Sequence, residues 1–149
     1  IQIGKIVGEE YNDAQLDDTT YKGNSEIEVL NVSARLAAGS DPINLTRVSY
    51  TISADGNASV VNGKPTSNAG RIQLYNIQGF DTADADTEKV LSDQNDLMVI
   101  QFDLTNISGI TPMADGTDTT IIAQAPAGGT TYKQLQAPRN IDEGNSYIL

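Results

Sequence analysis

Neither cysteine nor histidine occurs among the 149 residues. Their absence removes disulfides, thiolate nucleophiles, zinc sites built on Cys or His, the Ser-His-Asp triad and haem ligation through either side chain. Tryptophan is also missing and aromatic residues make up only 5% of the chain. The core is therefore mainly aliphatic, and a stacking platform for a sugar or a base is not expected. Positive charge is scarce, with 9 Lys and Arg against 20 Asp and Glu and a formal net charge of −11. A sequence-independent grip on nucleic acid or anionic lipid needs Lys and Arg to replace counterions, so neither partner is expected. No stretch approaches the ~18 consecutive apolar residues of a membrane helix, and no secretory signal is evident. The chain opens on Ile1, which is read here as the start of a processed or truncated product.

What is present is period-2 alternation, the mark of half-buried strands. In 47–53, Val48, Tyr50 and Ile52 share one face; in 97–104, Met98, Ile100, Phe102 and Leu104 do. Both sets are expected in the core. Segment 26–36 starts with Ile27 and Val29 inward, then changes parity to Leu30, Val32, Ala34 and Leu36, which calls for a bulge or bend near Val29. Further strands are expected at 3–9, 59–61, 71–77, 119–124, 130–135 and 146–149. Turn signals such as Asp55-Gly56-Asn57, Asn62-Gly63-Lys64-Pro65 and Ala127-Gly128-Gly129 separate them. About nine short strands punctuated in this way imply an all-β fold, an antiparallel immunoglobulin-like sandwich or barrel. The length fits one domain over 1–149, with 54–70 expected to form an exposed hairpin with a loose tip.

Two groups of residues carry possible chemistry. Asn31, Asn44, Asn57 and Asn106 each begin an Asn-x-Ser/Thr sequon, where roughly two would arise by chance in a chain with this much Asn, Ser and Thr. Asn31 falls on the outward parity of its strand and Asn57 in a turn, where a glycan disturbs no packing. At least two of the four are expected to be modified. The second group is the run Asp81-Thr82-Ala83-Asp84-Ala85-Asp86-Thr87-Glu88 with Asp93 beyond it. Asp84, Asp86, Glu88 and Asp93 can converge on a structural Ca2+ or Mg2+, a hard cation that takes several oxygen ligands. The alternative is a solvated acidic loop, the usual fate of a charge run. Asn12, Asp13, Asp17 and Asp18 are read as surface. No catalytic set is recognisable: two carboxylates across a cleft are not indicated, and Gly128-Gly129 lacks the Lys-Ser/Thr of a phosphate loop. The chain is not expected to be an enzyme.

The stretch 28–45, ending in Gly39-Ser40-Asp41-Pro42-Ile43-Asn44-Leu45, resembles the signature of archaellins, the archaeal flagellins, in which a strand ends at such a turn. Asp84-Ala85-Asp86-Thr87, leading to Asn95-Asp96-Leu97-Met98-Val99-Ile100, resembles the family's Asp-x-Asp loop and following strand, with Asn95 where the family more often has Gly. The segment from Ala125-Pro126 to Ala137-Pro138 and the end Tyr147-Ile148-Leu149 are similar to its last hairpin and tail. The resemblance implies the outer β-sandwich domain of an archaellin, a subunit of the extracellular motility filament (archaellum). Such a subunit polymerises with other archaellin subunits through an N-terminal helix not included in this sequence. It also implies frequent N-glycosylation and a metal at Asp84 and Asp86. The second reading is a related secreted structural module, such as an archaeal pilin, a stator-like accessory protein of the archaellum or an envelope adhesion domain. A small carbohydrate-active enzyme is third.

Two measurements check these expectations. The intact mass of the native protein should exceed that of the bare polypeptide by at least two glycans, and equality refutes the modification. EDTA should lower the melting temperature if a divalent cation is held by the acidic run, and an unchanged melt identifies a solvated loop.

Overall fold

Side chains on a strand alternate between two faces, so each apolar alternation in the sequence commits one face to the interior. The computed structural model describes residues 1–10, 25–64, 71–80 and 89–149. Within these, the strands are β1 (Gln2–Glu9), β2 (Val29–Arg35), β3 (Ile43–Asn44), β4 (Ser49–Ala54), β5 (Asn57–Asn62), β6 (Ile72–Gln78), β7 (Val90–Leu91), β8 (Leu97–Asp103), β9 (Asp118–Gln124), β10 (Thr130–Gln136) and β11 (Ser146–Ile148). They build a five-stranded sheet in the order β11-β1-β2-β8-β6, a four-stranded sheet in the order β10-β9-β4-β5, and the small pair β3-β7. Every pairing is antiparallel. The architecture is the all-β antiparallel sandwich that the alternation implied.

One hydrophobic cluster joins the inner faces of the two larger sheets. Met98, Ile100 and Phe102 of β8 and Leu104 beyond it are fully buried, as are Tyr50 and Ile52 of β4 with Val48 ahead of it. These are the residues that period 2 assigned to the core. Across the sandwich, Tyr50 meets Phe102 edge to face, with ring centroids 5.2 Å apart and planes at 71°. That arrangement sets the positive edge of one ring against the negative face of the other, and contributes about 0.5–1.5 kcal/mol beyond simple burial.

The sequence-based expectations are corrected at four places. Ile27 and Leu30 both lie in the core, so the parity does switch between them, but by a break rather than a bulge within a strand. Ile27 forms an isolated bridge with Met113, Glu28 lies outside any strand, and pairing resumes at Val29. Val29 is buried yet stands apart from the core cluster. The β-bulge of this region is in β1, where the register shifts between Ile3 and Ile6. Second, β3 and β7 are too short for alternation to reveal. Third, the hairpin expected over 54–70 turns at 55–56 with a tight tip, while its residues 65–70 lie outside the described residues. Ala54 pairs with Asn57 across the two residues Asp55 (φ 51°) and Gly56 (φ 77°), the positive-φ pair of a type I′ turn, whose twist matches that of the strands. Fourth, strand 97–104 stops at Asp103, and Leu104–Asn106 form a 3-10 turn.

Beyond β5 the chain is held by Gly63, whose N–H donates to the Val48 carbonyl at 3.0 Å. A Cβ at Gly63 would lie 1.8 Å from the Leu45 carbonyl oxygen, so only glycine permits this close backbone approach.

The Tyr50 hydroxyl is buried without a hydrogen-bond partner among the described residues. A buried hydroxyl that has lost its water costs about 1–3 kcal/mol, and burial pushes its pKa well above the ordinary tyrosine value. Folded Tyr50 thus keeps its proton to a higher pH than the unfolded chain does. Its contribution to stability is complete below pH ~10 and is lost as the pH rises from there. Tyr50→Phe should raise the melting temperature at neutral pH by about 2–4 °C, equivalent to about 1 kcal/mol. It should also flatten the loss of stability above pH ~10, as thermal melts across an alkaline series will show.

Candidate functional site

Of the four candidate metal ligands, Asp84, Asp86 and Glu88 lie outside the described residues, as do Asn12, Asp13, Asp17 and Asp18. Asp93 is described and exposed. One of its carboxylate oxygens, Oδ1, accepts from the Asn95 backbone N–H and from Asn95 Nδ2, both at 2.8 Å. Oδ2 is the oxygen left for a cation. Its neighbour Asp96 is only 2% exposed. Asp96 Oδ2 accepts from the Ser92 N–H at 2.7 Å, the Ser92 hydroxyl at 3.0 Å and the Asp93 N–H at 2.8 Å. Gly79, at φ +92°, passes so close that a Cβ there would be 2.4 Å from Asp96 Oδ1. The turn 92–96 is thus closed by carboxylates bonded to backbone donors. Among the described residues no three acidic side chains gather as a metal site.

The four sequon asparagines occupy different environments. Asn44 caps the 3-10 turn Leu45–Arg47, its Oδ1 accepting from the Thr46 N–H at 2.9 Å and the Thr46 hydroxyl at 2.7 Å. Asp103 does the same for Leu104–Asn106, with Oδ1 accepting from the Thr105 N–H at 3.0 Å and the Thr105 hydroxyl at 2.6 Å. An Asp serves where an Asn serves, so the Asx-Leu-Thr pattern is accounted for by capping in both places. Asn106 is exposed, but its Nδ2 donates to Asp103 Oδ2 at 2.6 Å. Asn31 stands mid-strand in β2, half-buried, its Oδ1 accepting from Gln101 Nε2 at 3.0 Å. Asn57 is exposed at the end of the type I′ turn. It is the sequon whose modification disturbs neither a cap nor a sheet face.

Four carboxylates that composition alone assigns to the surface are buried: Glu10, Glu28, Asp96 and Asp103. Glu10 takes the Gly144 N–H on Oε2, while Oε1 has no partner among the described residues. Its own N–H donates to the Asn145 carbonyl at 3.0 Å, so it ties the end of β1 to the loop before β11. The signal for Asp103 was present in the sequence as an Asp followed two residues on by Thr at a strand end. Nothing comparable marks Glu10. A shallow pocket of about 190 Å³ opens between Pro42, Ile43, Asn44, Arg47 and Ala125 to Ala127. Arg47 is its one charged lining residue, and no carboxylate pair enters it.

The exposed large apolar side chains are distributed in a definite way. Val60 is on β5, Tyr75 and Ile77 on β6, Tyr132 on β10 and Ile148 on β11. Those four are the edge strands of the two sheets. An edge strand offers unpaired backbone donors and acceptors, and apolar side chains on it mark places where another surface can dock.

Compared with solved structures, the chain superposes on archaeal flagellin FlaB1 from Methanocaldococcus jannaschii with a TM-score of 0.69 at 14% identity, over 97% of each chain. The fold is that of the archaellin β-domain. A chain of the archaellum periplasmic stator complex of FlaF and FlaG from Sulfolobus acidocaldarius matches with a TM-score of 0.50 at 13% identity, over 75% of this chain and 81% of that one. No family model and no curated protein is matched by the sequence itself. The archaellin-like fold is therefore carried by strand order and inward-facing pattern at low sequence identity.

Removing the Asp96 carboxylate leaves two backbone N–H groups of a closed turn without an acceptor. Asp96→Ala should cost about 2–3 kcal/mol, since bonds to charged groups are worth about 1.5–3 kcal/mol each and not all are lost to water. Chemical denaturation will measure this, with Asp93→Ala as the mild comparison.

Proposed function

We propose that this chain is the outer β-domain of a structural subunit of the archaellum filament. The observation that supports this best is the superposition on an archaeal flagellin across 97% of both chains, against a partial one on a stator-complex chain. The residues are consistent with a mechanical role. Each sheet is closed on its inner face by an aliphatic core, while the outer edges carry isolated apolar side chains suited to lateral contacts with other archaellin subunits. The net charge of −11 keeps unassembled domains apart in solution. On this reading the domain is extracellular, at the surface of the filament. Asn57, with Asn31, Asn44 and Asn106 as further acceptors, carries glycans there. Calcium or magnesium at Asp84, Asp86, Glu88 and Asp93 steadies the acidic run, and the chelation melt decides that part independently. No catalytic step belongs to this role.

The second reading, a stator-like accessory protein of the archaellum, is favoured by the match to the FlaF and FlaG complex. Both proteins are structural, and fold alone does not separate them. Sequencing the native protein upstream of Ile1 does. A run of roughly 20 mostly apolar residues directly before this domain, exposed by removal of a short basic leader, makes a helix of about 30 Å that can pack in a filament core. That result, together with the chain as the dominant band of purified filaments, is expected. Filaments that lack the chain overturn the filament reading in favour of the accessory one.

A further inference from the structure

Glu10 is 1% exposed, and its carboxylate lies against the turn 142–145. Oε2 accepts the Gly144 N–H, and the Glu10 N–H donates to the Asn145 carbonyl at 3.0 Å. Oε1 is buried with no hydrogen-bond partner among the described residues, and no basic side chain among them pairs with this carboxylate. Buried charges are ordinarily paired with an opposite charge or coordinated to a metal. The surroundings sharpen the demand. The Thr131 hydroxyl on the Ile1 carbonyl sets the start of β1 beside the Thr130 end of β10. The far end of β1 therefore lies at the same end of the sandwich as Asp118, opposite Gln136, and the turn of the β4-β5 hairpin. Glu9, Glu28, Asp55, Asp103, Asp118 and Glu143 all belong to that end. Among the described residues its basic members are Arg71, whose carbonyl accepts the Asp103 N–H, and the exposed Arg139.

We infer that Glu10 anchors a calcium site between the end of β1 and the turn 142–145. Burial, donor type and charge select the ion. A carboxylate this buried is out of reach of a partner's lysine or arginine, which leaves a small ion as the occupant. With neither Cys nor His in the chain, oxygen is the donor on offer, and hard cations take oxygen. The like charges around Glu10 favour a doubly charged ion over a monovalent one. Backbone carbonyls of an irregular turn suit calcium, which accepts six to eight oxygens in loose geometry, better than magnesium, which demands an octahedron.

Ligand charge limits the affinity. No three acidic side chains among the described residues gather at one point, so Glu10 is the buried charged ligand and carbonyls and water complete the shell. Few charged ligands give a dissociation constant of about 10⁻⁴–10⁻³ M, and occupancy then follows the calcium concentration of the surrounding medium. When bound, the ion ties β1 to the segment ahead of β11 and neutralises a buried charge. The site lies far from Asp93, which precedes the Leu97 end of β8, level with the start of β1. It is therefore separate from any cation at the acidic run 81–88, and it stands independently of the filament role.

Glu10→Gln keeps the shape and an oxygen for the Gly144 N–H while removing the charge. In about 10 mM calcium the unmodified chain should melt about 3–5 °C above its melting temperature in EDTA, and Glu10→Gln should lose most of that shift. In EDTA, Glu10→Gln should melt no lower than the unmodified chain, because it has shed an unmatched buried charge. A Glu10 that merely holds the turn gives a different pattern, with Glu10→Gln lower by the same amount in both buffers, and that pattern overturns the inference. Terbium, a luminescent substitute for calcium, reads the position. The Tyr147 hydroxyl accepts the Asp142 N–H at 2.6 Å, and in a chain without Trp this ring is the sensitiser at the turn. Terbium emission excited through tyrosine should fall at least 5-fold in Glu10→Gln and in Tyr147→Phe, each measured with Asp84→Asn and Asp86→Asn in place to silence the acidic run. Emission that survives both changes overturns the inference. A calcium shift that disappears with Asp84→Asn and Asp86→Asn but persists in Glu10→Gln assigns the ion to the acidic run and overturns the Glu10 site.

Discussion

The structure depends on two inner sheet faces pressing against one another with mainly aliphatic and a few aromatic side chains between them. With neither disulfide nor zinc ligand available, no covalent or Cys/His-metal staple shares the task. Leu30, Val32 and Ala34 of β2 and Ile100 and Phe102 of β8 form one wall; Tyr50, Ile52, Ile121 and Ala123 form the other. Every one of these is essentially unexposed. The arrangement tolerates a strongly acidic exterior because burial of apolar area acts at contact distance and is not weakened by surface repulsion, which water and salt screen.

That dependence explains the shape of the loops. Among the described residues, several loops satisfy backbone groups that the sheets leave over with acidic or amide side chains, beside backbone–backbone bonds. Asp96 closes the turn before β8, Asp103 caps the turn after it, Asn44 caps the turn before β4, and Glu10 joins β1 to the loop before β11. The negative charge of the chain is thus partly internal architecture. Carboxylates at turn positions accept several backbone N–H groups at once, which a hydroxyl does less well.

The core was legible because it has a period. Met98, Ile100, Phe102 and Leu104 advertise their common face two residues at a time, and so do Val48, Tyr50 and Ile52. The two-residue strands β3 and β7 have no period to read, and pair only because the chain around Leu45 is brought to Lys89, whose carbonyl accepts the Leu45 N–H at 2.8 Å. The buried carboxylates Glu10 and Asp96 were hidden by their residue type, since Asp and Glu ordinarily signal solvent, whereas Asp103 is marked by the Thr two residues on.

The position of β1 has a mechanical meaning. It is paired along its length with β2 and at its far end with β11, while the Thr131 hydroxyl holds the Ile1 carbonyl at 2.6 Å from the other sheet. A pull applied at Ile1 acts along the strand, so the hydrogen bonds of both ladders are loaded side by side and must break together. A pull across the sheet would open the same bonds one after another. Tension entering at this end therefore loads the β1 ladders in shear, and the domain resists it as a unit rather than yielding by peeling.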